Sequence, residues 1–371
     1  MNTRKIKNMA CCLLSFSAVI ACSEEDLDTT RHSPKHHQTT HPDTTSIVTT
    51  PTNTTTEANM FVYDVLSTYY YWNDKVPQLS YEDYDNTYNY FYDLIVEEDY
   101  FSTISNDAEM IDYIISGKAT TIGCHVTYHK LEEDGNNVYA IVRYVIQDSP
   151  AYNAGMKRGD IINVINGNEL TTENYTKMWD IAGEYKGARI NPDTNETEAI
   201  ALYITPSIVA EKAATEYTVF DNGIAYLHYY SFLSEYNNEL TQIFQYFKDN
   251  NAKDLILDLR YNPGGYMNAM DHLCSLIAPQ TYVDKGDDLI LYKYNNIMSS
   301  LEGFGKEEST TKFKQDIKSL NLNRIVIITS DMTYSASEAT IIGLEPYMEV
   351  TTIGTRTGGK NQSSIQFRPS D

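Results

Sequence analysis

Two segments that each run from a short apolar stretch through a turn into a helix constrain the fold of this chain most. DLILDL, residues 254–259, leads through RYNPGG, residues 260–265, into a predicted helix over residues 268–277. RIVII, residues 324–328, leads through small residues into a second helical stretch. Apolar strands of this length are typical of sheets covered on both faces, and strands that alternate with helices indicate crossover units. We therefore expect an α/β domain of ββα-type crossover units over residues 206–371.

Ser335 stands where the second strand turns into its helix, and it permits two interpretations. Ser335 and Glu338 have the S-x-x-E spacing of a capping box, in which each side chain accepts a backbone N–H of the other residue. The alternative is a nucleophile, which requires a base because a serine hydroxyl alone is weak. Gly264 and Gly265 would let backbone N–H groups approach a ligand closely, although a tight turn alone also explains them. Both turns fall at the strand edge where open α/β sheets bind ligands.

The segment SPAYNAGMKRGDIINVINGNEL, residues 149–170, defines a different domain. Its glycines mark turns around a predicted strand over residues 161–165. The pattern closely resembles a PDZ domain, which we place at residues 120–205; the alternative is a generic β-rich insert. That family captures the C-terminus of a partner as an added strand and holds its carboxylate with backbone N–H groups. The matching peptide-binding loop consists of Thr121, Ile122 and Gly123.

The first 21 residues are predicted to be a signal peptide, because basic residues precede a short apolar stretch that ends in a small residue. Cys22 follows directly and resembles the lipidated cysteine of a bacterial lipoprotein. CSEED, residues 22–26, resembles the acidic surface-export signal of Bacteroidetes lipoproteins. The alternative is an ordinary signal peptide with an incidental cysteine. We expect a protein of the bacterial cell envelope that is lipid-anchored through Cys22 to the outer membrane. It would face either the periplasm or the cell surface.

Residues 22–59 are predicted to be a disordered tether, since they are rich in Thr, His and Pro and have few large apolar residues. Their histidines fit a solvated linker better than a metal site. Residues 60–119 are dense in aromatics, and Phe61, Leu66 and Tyr69 recur at helical spacing, which predicts an N-terminal helical bundle.

Composition bounds the partners of the chain. Its formal net charge of −23 argues against nucleic acid or an anionic membrane surface as a main partner, because phosphate binding needs a basic face. Of the five cysteines, only Cys124 and Cys274 lie beyond the leader and Cys22, too few for a disulfide framework. We expect both to be small buried residues.

DLILDLRYNPGG, SASE and TRTGGK, in this order and downstream of the PDZ-like segment, resemble the carboxy-terminal processing (tail-specific) proteases. These are serine peptidases with a Ser–Lys dyad and an acyl-enzyme intermediate. The resemblance implies Ser335 as nucleophile, Lys360 as general base and no metal or cofactor. It leaves open whether Glu338 orients the dyad or only caps the helix. The implied oxyanion donors are backbone N–H groups of Gly264, Gly265 and Ala336.

Three points limit the analogy. Lys360 must be buried to be neutral, and the alternative is a solvated surface lysine. The glutamine that some members carry four residues after this lysine is Ser364 here. The family continues well past the lysine, whereas this sequence ends at Asp371, so we expect a catalytic domain truncated at its C-terminus.

The resemblance implies polypeptide substrates with apolar C-termini. The alternatives are an inert tail-binding lipoprotein built on a truncated protease fold and a binder of small apolar ligands.

Overall fold

The computed structural model describes residues 53–368, with gaps at 106–117, 134, 192, 211, 302–303 and 305–308. The described residues form two compact units, one made of residues 53–105 and 216–368 and the other of residues 118–215. The predictions for the signal peptide, for Cys22 and for most of the tether lie outside the described residues. Within the described ranges, no helix has the length and the apolar character needed to cross a bilayer.

The first unit begins with two α-helices, α1 (Asn53–Tyr69) and α2 (Thr87–Leu94). Between them lie two 3₁₀ turns, Asn73–Lys75 and Tyr81–Asp83. Helix α2 begins where the side chain of Asn86 accepts hydrogen bonds from the first-turn N–H groups. Six buried residues form one small core: Val62, Leu66, Tyr70, Tyr90, Phe91 and Leu94. Of the residues predicted to recur at helical spacing, Leu66 lies in this core, whereas Phe61 and Tyr69 are only half-buried. Residues 106–117 of the predicted bundle lie outside the described part.

The start of α1 corrects the predicted end of the tether at residue 59, because the helix begins at Asn53. Asn59 is fully buried, and its side-chain amide donates to the carbonyls of Tyr81 and Tyr84 at 2.9 and 3.0 Å. A polar side chain therefore fixes this turn of the helix, so the low apolar content of the stretch was misleading.

The second unit is built on an antiparallel sheet with strand order β2-β3-β4-β6-β7, with β5 beside β4; a separate pair joins β1 and β8. Its strands are β1 (Lys118–Thr121), β2 (Cys124–Lys130), β3 (Val138–Val145), β4 (Ile161–Ile165), β5 (Asn168–Glu169), β6 (Gly183–Ile190), β7 (Thr197–Ile204) and β8 (Ser207–Ala210). Two one-turn helices follow β3 and β5, namely α3 (Pro150–Asn153) and α4 (Tyr175–Met178). The predicted strand over residues 161–165 is confirmed, and the assignment as a PDZ domain stays a prediction.

The C-terminal part of the first unit is a five-stranded sheet in the order β15-β14-β11-β10-β9, in which β10, β11, β14 and β15 run parallel. Its strands are β9 (Ala214–Val219), β10 (Ile224–Tyr229), β11 (Asp254–Asp258), β14 (Arg324–Thr329) and β15 (Glu349–Gly354). The helices are α5 (Asn237–Asp249), α6 (Met267–Ile277), α7 (Gln280–Lys285) and α8 (Ala336–Leu344). A small antiparallel pair, β12 (Asp288–Leu291) and β13 (Thr310–Lys312), completes the unit.

Helices connect the parallel strands, so the predicted α/β architecture with crossover units is confirmed. Strands β11 and β14 are direct neighbours, with Leu257 opposite Ile327. Because parallel neighbours end at the same edge of a sheet, the turns after these two strands lie side by side. This arrangement brings the two segments singled out in the sequence to one place.

Both predicted cysteine positions are confirmed as buried. Cys124 and Cys274 are free thiols in the two hydrophobic interiors.

Candidate active site

Asn262 joins the turn after β11 to the loop before α8. Its buried side chain donates to the carbonyl of Tyr229 at 2.7 Å and accepts the N–H of Gly264 at 2.8 Å. Its own carbonyl accepts the N–H of Tyr334 and the hydroxyl of Ser337, both at 3.1 Å. The two strand ends are therefore held together by one residue with no exposed surface.

Ser335 occupies a sharp turn directly before α8, with φ 58° and ψ −114°. Few residues other than glycine adopt such a conformation, and strained residues of this kind concentrate at functional sites. The residue is buried. Gly264 packs against it so closely that a Cβ there would lie 2.9 Å from both the Ser335 Cβ and the Ala336 nitrogen. A side chain at position 264 would therefore displace the serine.

The N–H of Gly264 is not available to a substrate, because it donates to Asn262. This corrects the prediction of Gly264 as an oxyanion donor: its role is to permit the close approach of the two turns. Within the described part of the chain, the N–H groups of Gly265 and Ala336 have no hydrogen-bond partner. The Ala336 group belongs to the first turn of α8, where the helix dipole is positive. These two groups remain as candidate donors.

The carboxylate of Glu338 connects α8 to the loop that carries Lys360. Its Oε1 accepts from the Thr357 hydroxyl and the Gly359 N–H, both at 2.7 Å. Its Oε2 accepts from the N–H groups of Ser335 and Lys360, both at 2.8 Å. Because one oxygen accepts both N–H groups, the backbone nitrogens of Ser335 and Lys360 lie no farther apart than twice 2.8 Å. The structure thus brings Ser335, Glu338 and Lys360 together.

Lys360 is buried, with 4% of its surface exposed, so the alternative of a solvated surface lysine is wrong. Its Nζ donates to the Ser364 hydroxyl at 3.2 Å and lies 5.3 Å from the centre of the Phe101 ring. Burial lowers its pKa from 10.5 to about 8, while the carboxylates of Asp99 and Glu338 act in the opposite direction. An amine with this pKa is partly neutral near neutral pH and can accept a proton.

Three parts of this site escaped the sequence prediction. Asn262 was visible only as the first residue of a turn, and Ser364 only as a departure from a family pattern. Asp99 and Phe101 come from the N-terminal part of the chain, far from Lys360 in sequence, and no local spacing links them. No cluster of side chains that could hold a metal ion occurs in the described residues.

The predicted peptide-binding loop of the second unit already holds a carboxylate of its own chain. Asp180 Oδ1 accepts the Thr121 hydroxyl at 2.6 Å and the Ile122 N–H at 2.8 Å. The N–H of Gly123 donates to the Thr121 hydroxyl oxygen at 3.0 Å. Asp180 has a φ of 58°, a left-handed conformation that is uncommon for a residue with a side chain. The backbone donors that would bind a C-terminus are therefore occupied internally.

Strand β2, which follows this loop, lies at one edge of its sheet. The ring of Tyr128 on β2 contacts Tyr175 and Trp179, at 4.6 and 5.8 Å between ring centres. Asp180 directly follows Trp179, so the same short segment covers both the side chains of β2 and the loop before it.

Comparisons with known proteins place this α/β fold in a family of peptidases. Residues 223–371 match the model of peptidase family S41, and residues 57–103 match the model of the peptidase S41 N-terminal domain. Together the two matches span just over half of the chain. The chain belongs to peptidase family S41.

Characterised relatives are distant in sequence. The chain is 27% identical over 266 residues to the carboxy-terminal processing protease CtpA of Bacillus subtilis, a match that covers 71% of this chain and 52% of the relative. It is 24% identical over 288 residues to a carboxy-terminal-processing protease of Bartonella bacilliformis, covering 70% and 62%. The chain thus spans about half to three-fifths of the length of these relatives.

A candidate S41 protease from Bacteroides fragilis, known from a crystal structure, shares the fold. The TM-score is 0.61 at 21% identity, and the match covers 81% of this chain and 79% of that one.

Proposed function

We propose that the protein is a serine endopeptidase that cleaves polypeptides with a Ser335–Lys360 dyad through an acyl-enzyme. One observation carries the proposal: a single oxygen of Glu338 binds the N–H groups of both Ser335 and Lys360, while the amine of Lys360 is buried. A strained serine at a helix start beside a lysine of lowered pKa is an arrangement suited to nucleophilic catalysis.

The mechanism uses one proton carrier twice. Neutral Lys360 takes the proton of Ser335 as the hydroxyl oxygen attacks the peptide carbonyl, and the N–H groups of Gly265 and Ala336 hold the resulting oxyanion. The ammonium of Lys360 then returns the proton to the departing amine, which leaves an ester on Ser335. Water hydrolyses this ester with Lys360 again as the base. Ser364 takes the place of the family's glutamine by accepting a hydrogen bond from the Lys360 amine.

Substrate selection is assigned to the second unit as a PDZ-like module. An apolar C-terminal tail would pair with the free edge of β2, and its carboxylate would bind the N–H groups around Ile122 and Gly123. Asp180 accepts the Ile122 N–H, and the Thr121 hydroxyl oxygen accepts the Gly123 N–H, so both contacts have to open before a tail can bind.

Localisation is inferred from the leader alone. The basic start, the short apolar stretch and Cys22 support export and lipid anchoring in the cell envelope of a bacterium. The proposed partners are therefore polypeptides of the cell envelope. The Thr-rich tether would allow the folded part of the chain to reach them.

The experiment is a cleavage assay on the purified chain without its leader, with unstructured polypeptides as substrates. We expect cleavage that disappears in Ser335→Ala and in Lys360→Ala, with both variants still folded by circular dichroism. Cleavage that persists in either variant would refute the dyad. Binding of polypeptides without any cleavage by the unmodified chain would refute the enzymatic function.

A further inference from the structure

A short segment from the N-terminal part of the chain covers the amine of Lys360. This cover segment, residues 99–101, follows α2 in sequence, whereas Lys360 follows β15. Its residue Phe101 directs its ring at the Lys360 Nζ, 5.3 Å from the ring centre. A face-on aromatic ring both excludes water and attracts a cation. The segment therefore contacts the Lys360 amine, which becomes positively charged during the proposed reaction.

Asp99 fixes the conformation of this segment and brings a negative charge to it. It is 2% exposed, and its Oδ1 accepts the N–H groups of Phe101 and Ser102, both at 3.0 Å. Its Oδ2 is buried and has no hydrogen-bond partner among the described residues. A buried carboxylate oxygen without a partner is costly unless a positive charge lies nearby.

Lys360 supplies that positive charge only in part of the reaction cycle. Its amine is neutral when it awaits the Ser335 proton and is an ammonium once it has taken it. We propose that Asp99 and Phe101 are positioning residues of the catalytic site, in which Phe101 keeps water from the Lys360 amine and Asp99 stabilises the ammonium that forms as Ser335 attacks. This inference rests on the proposed function, and it makes the N-terminal segment a required part of the active site.

The two residues act on Lys360 in opposite directions. Burial lowers the Lys360 pKa and the Asp99 carboxylate raises it, with a larger influence than Glu338 on the first turn of α8. Tyr70, which directly follows α1, also faces Asp99. Burial, followed by the Asp99 charge, raises the pKa of its phenol, which therefore stays neutral. Among the described residues, the carboxylates that act on the charge of the amine are those of Asp99 and Glu338.

Asp99→Asn is the matched variant, because the amide keeps the oxygen that accepts the Phe101 and Ser102 N–H groups and replaces only the unpaired Oδ2. The pKa of Lys360 is measured by carbon-13 NMR on lysine-labelled chain, with Lys360→Arg to assign the signal. We expect Asp99→Asn to lower this pKa by about 1 unit, the low end of the effect of a neighbouring opposite charge. The rising limb of kcat/KM against pH should move to lower pH by the same amount.

The maximal kcat of Asp99→Asn at alkaline pH should fall about tenfold, because the ammonium is less stable in the transition state. Phe101→Ala should raise the Lys360 pKa toward that of a free lysine, since water enters. Phe101→Leu keeps an apolar cover and should leave the pKa near its original value. Asp83→Asn and Glu82→Gln, which change exposed residues outside the cover segment, should alter neither quantity.

A Lys360 pKa that stays in place in both Asp99→Asn and Phe101→Ala would overturn the proposal, as would equal shifts in the two exposed controls. If Asp99→Asn proves too unstable to assay, the opposite behaviour of Phe101→Ala and Phe101→Leu decides the matter. The NMR titration needs no turnover, so shifts of the Lys360 pKa without any proteolysis would refute the proposed function and leave the role of the cover segment intact.

Discussion

At the residue scale, the site depends on a carboxylate that acts only as an acceptor. Glu338 receives four hydrogen bonds, three of them from backbone N–H groups and one from the Thr357 hydroxyl. Hydrogen bonds to a charged acceptor are stronger than neutral ones. Both interpretations of Glu338 left open by the sequence are therefore compatible with the structure: it bonds the N-terminus of α8 and also holds the lysine loop.

Glu338→Gln tests this role. The substitution replaces one acceptor oxygen by an NH₂ group, which would then face two hydrogen-bond donors. We expect a loss of about 2 kcal/mol or more of unfolding free energy, since buried donors would lose their partner. We also expect kcat to fall roughly 100-fold, because the dyad is displaced. Urea unfolding and steady-state kinetics measure the two effects. Glu345→Gln, at the C-terminal end of α8, is the control; an unchanged kcat in Glu338→Gln would contradict the positioning role.

Individual residues were predictable only where a motif carried them. Ser335 and Lys360 were found because each stands in a short motif and both motifs occur in order. Asp99 and Phe101 were not, because their contact with Lys360 joins parts of the chain more than 250 residues apart. The Gly264 prediction failed as a donor for a related reason: the sequence does not reveal that the Asn262 side chain turns back onto its N–H.

At the element scale, the parallel sheet was the most predictable feature. Apolar strands buried on both faces and followed by glycine or serine turns leave few other folds. The helix predicted over residues 268–277 is observed one residue longer, at Met267–Ile277. The pair β12 and β13 was not foreseen because its strands are only four and three residues long. The early start of α1 was not foreseen because a polar side chain, that of Asn59, fixes this turn of the helix.

Asp180 gives the second unit a testable property. Asp180→Ala should bind a fluorescent peptide with an apolar C-terminus and a free carboxylate about tenfold more tightly than the unmodified chain, a difference of about 1.4 kcal/mol. The reason is that the Ile122 N–H and the Thr121 hydroxyl, which now donate to Asp180, become free for the carboxylate of the peptide. Fluorescence anisotropy measures the affinity, with Glu173→Ala as the control variant.

The same peptide with an amidated C-terminus is the control ligand and should gain nothing from Asp180→Ala. An equal gain for both peptides, or no gain for either, would contradict the assignment of Thr121, Ile122 and Gly123 as the carboxylate loop.

At the scale of the whole molecule, the chain combines an S41 peptidase domain, a β-sheet unit and an acidic composition. A net charge of −23 does not determine fold, but it disfavours nucleic acid and anionic surfaces as partners. Because an acidic chain is not attracted to an anionic membrane surface, attachment to the membrane would have to come from a lipid anchor.

Cys22→Ala tests this anchor in a bacterium that processes lipoproteins. The unmodified chain should fractionate with membranes, and Cys22→Ala should move to the soluble envelope fraction because it lacks the acyl chains. Cys12→Ala, within the leader, should behave like the unmodified chain. Membrane fractionation of Cys22→Ala at the level of the unmodified chain would contradict the lipoprotein assignment.

The central claim, a neutral Lys360 that activates Ser335, is tested most directly by covalent labelling with a fluorophosphonate across a pH series. Peptide mass spectrometry locates the adduct. We predict labelling at Ser335 at a rate that rises through pH 8 and falls about tenfold per pH unit below it, with no labelling in Lys360→Ala. Labelling that is independent of pH and persists in Lys360→Ala, or no adduct on Ser335 at any pH, would contradict the account.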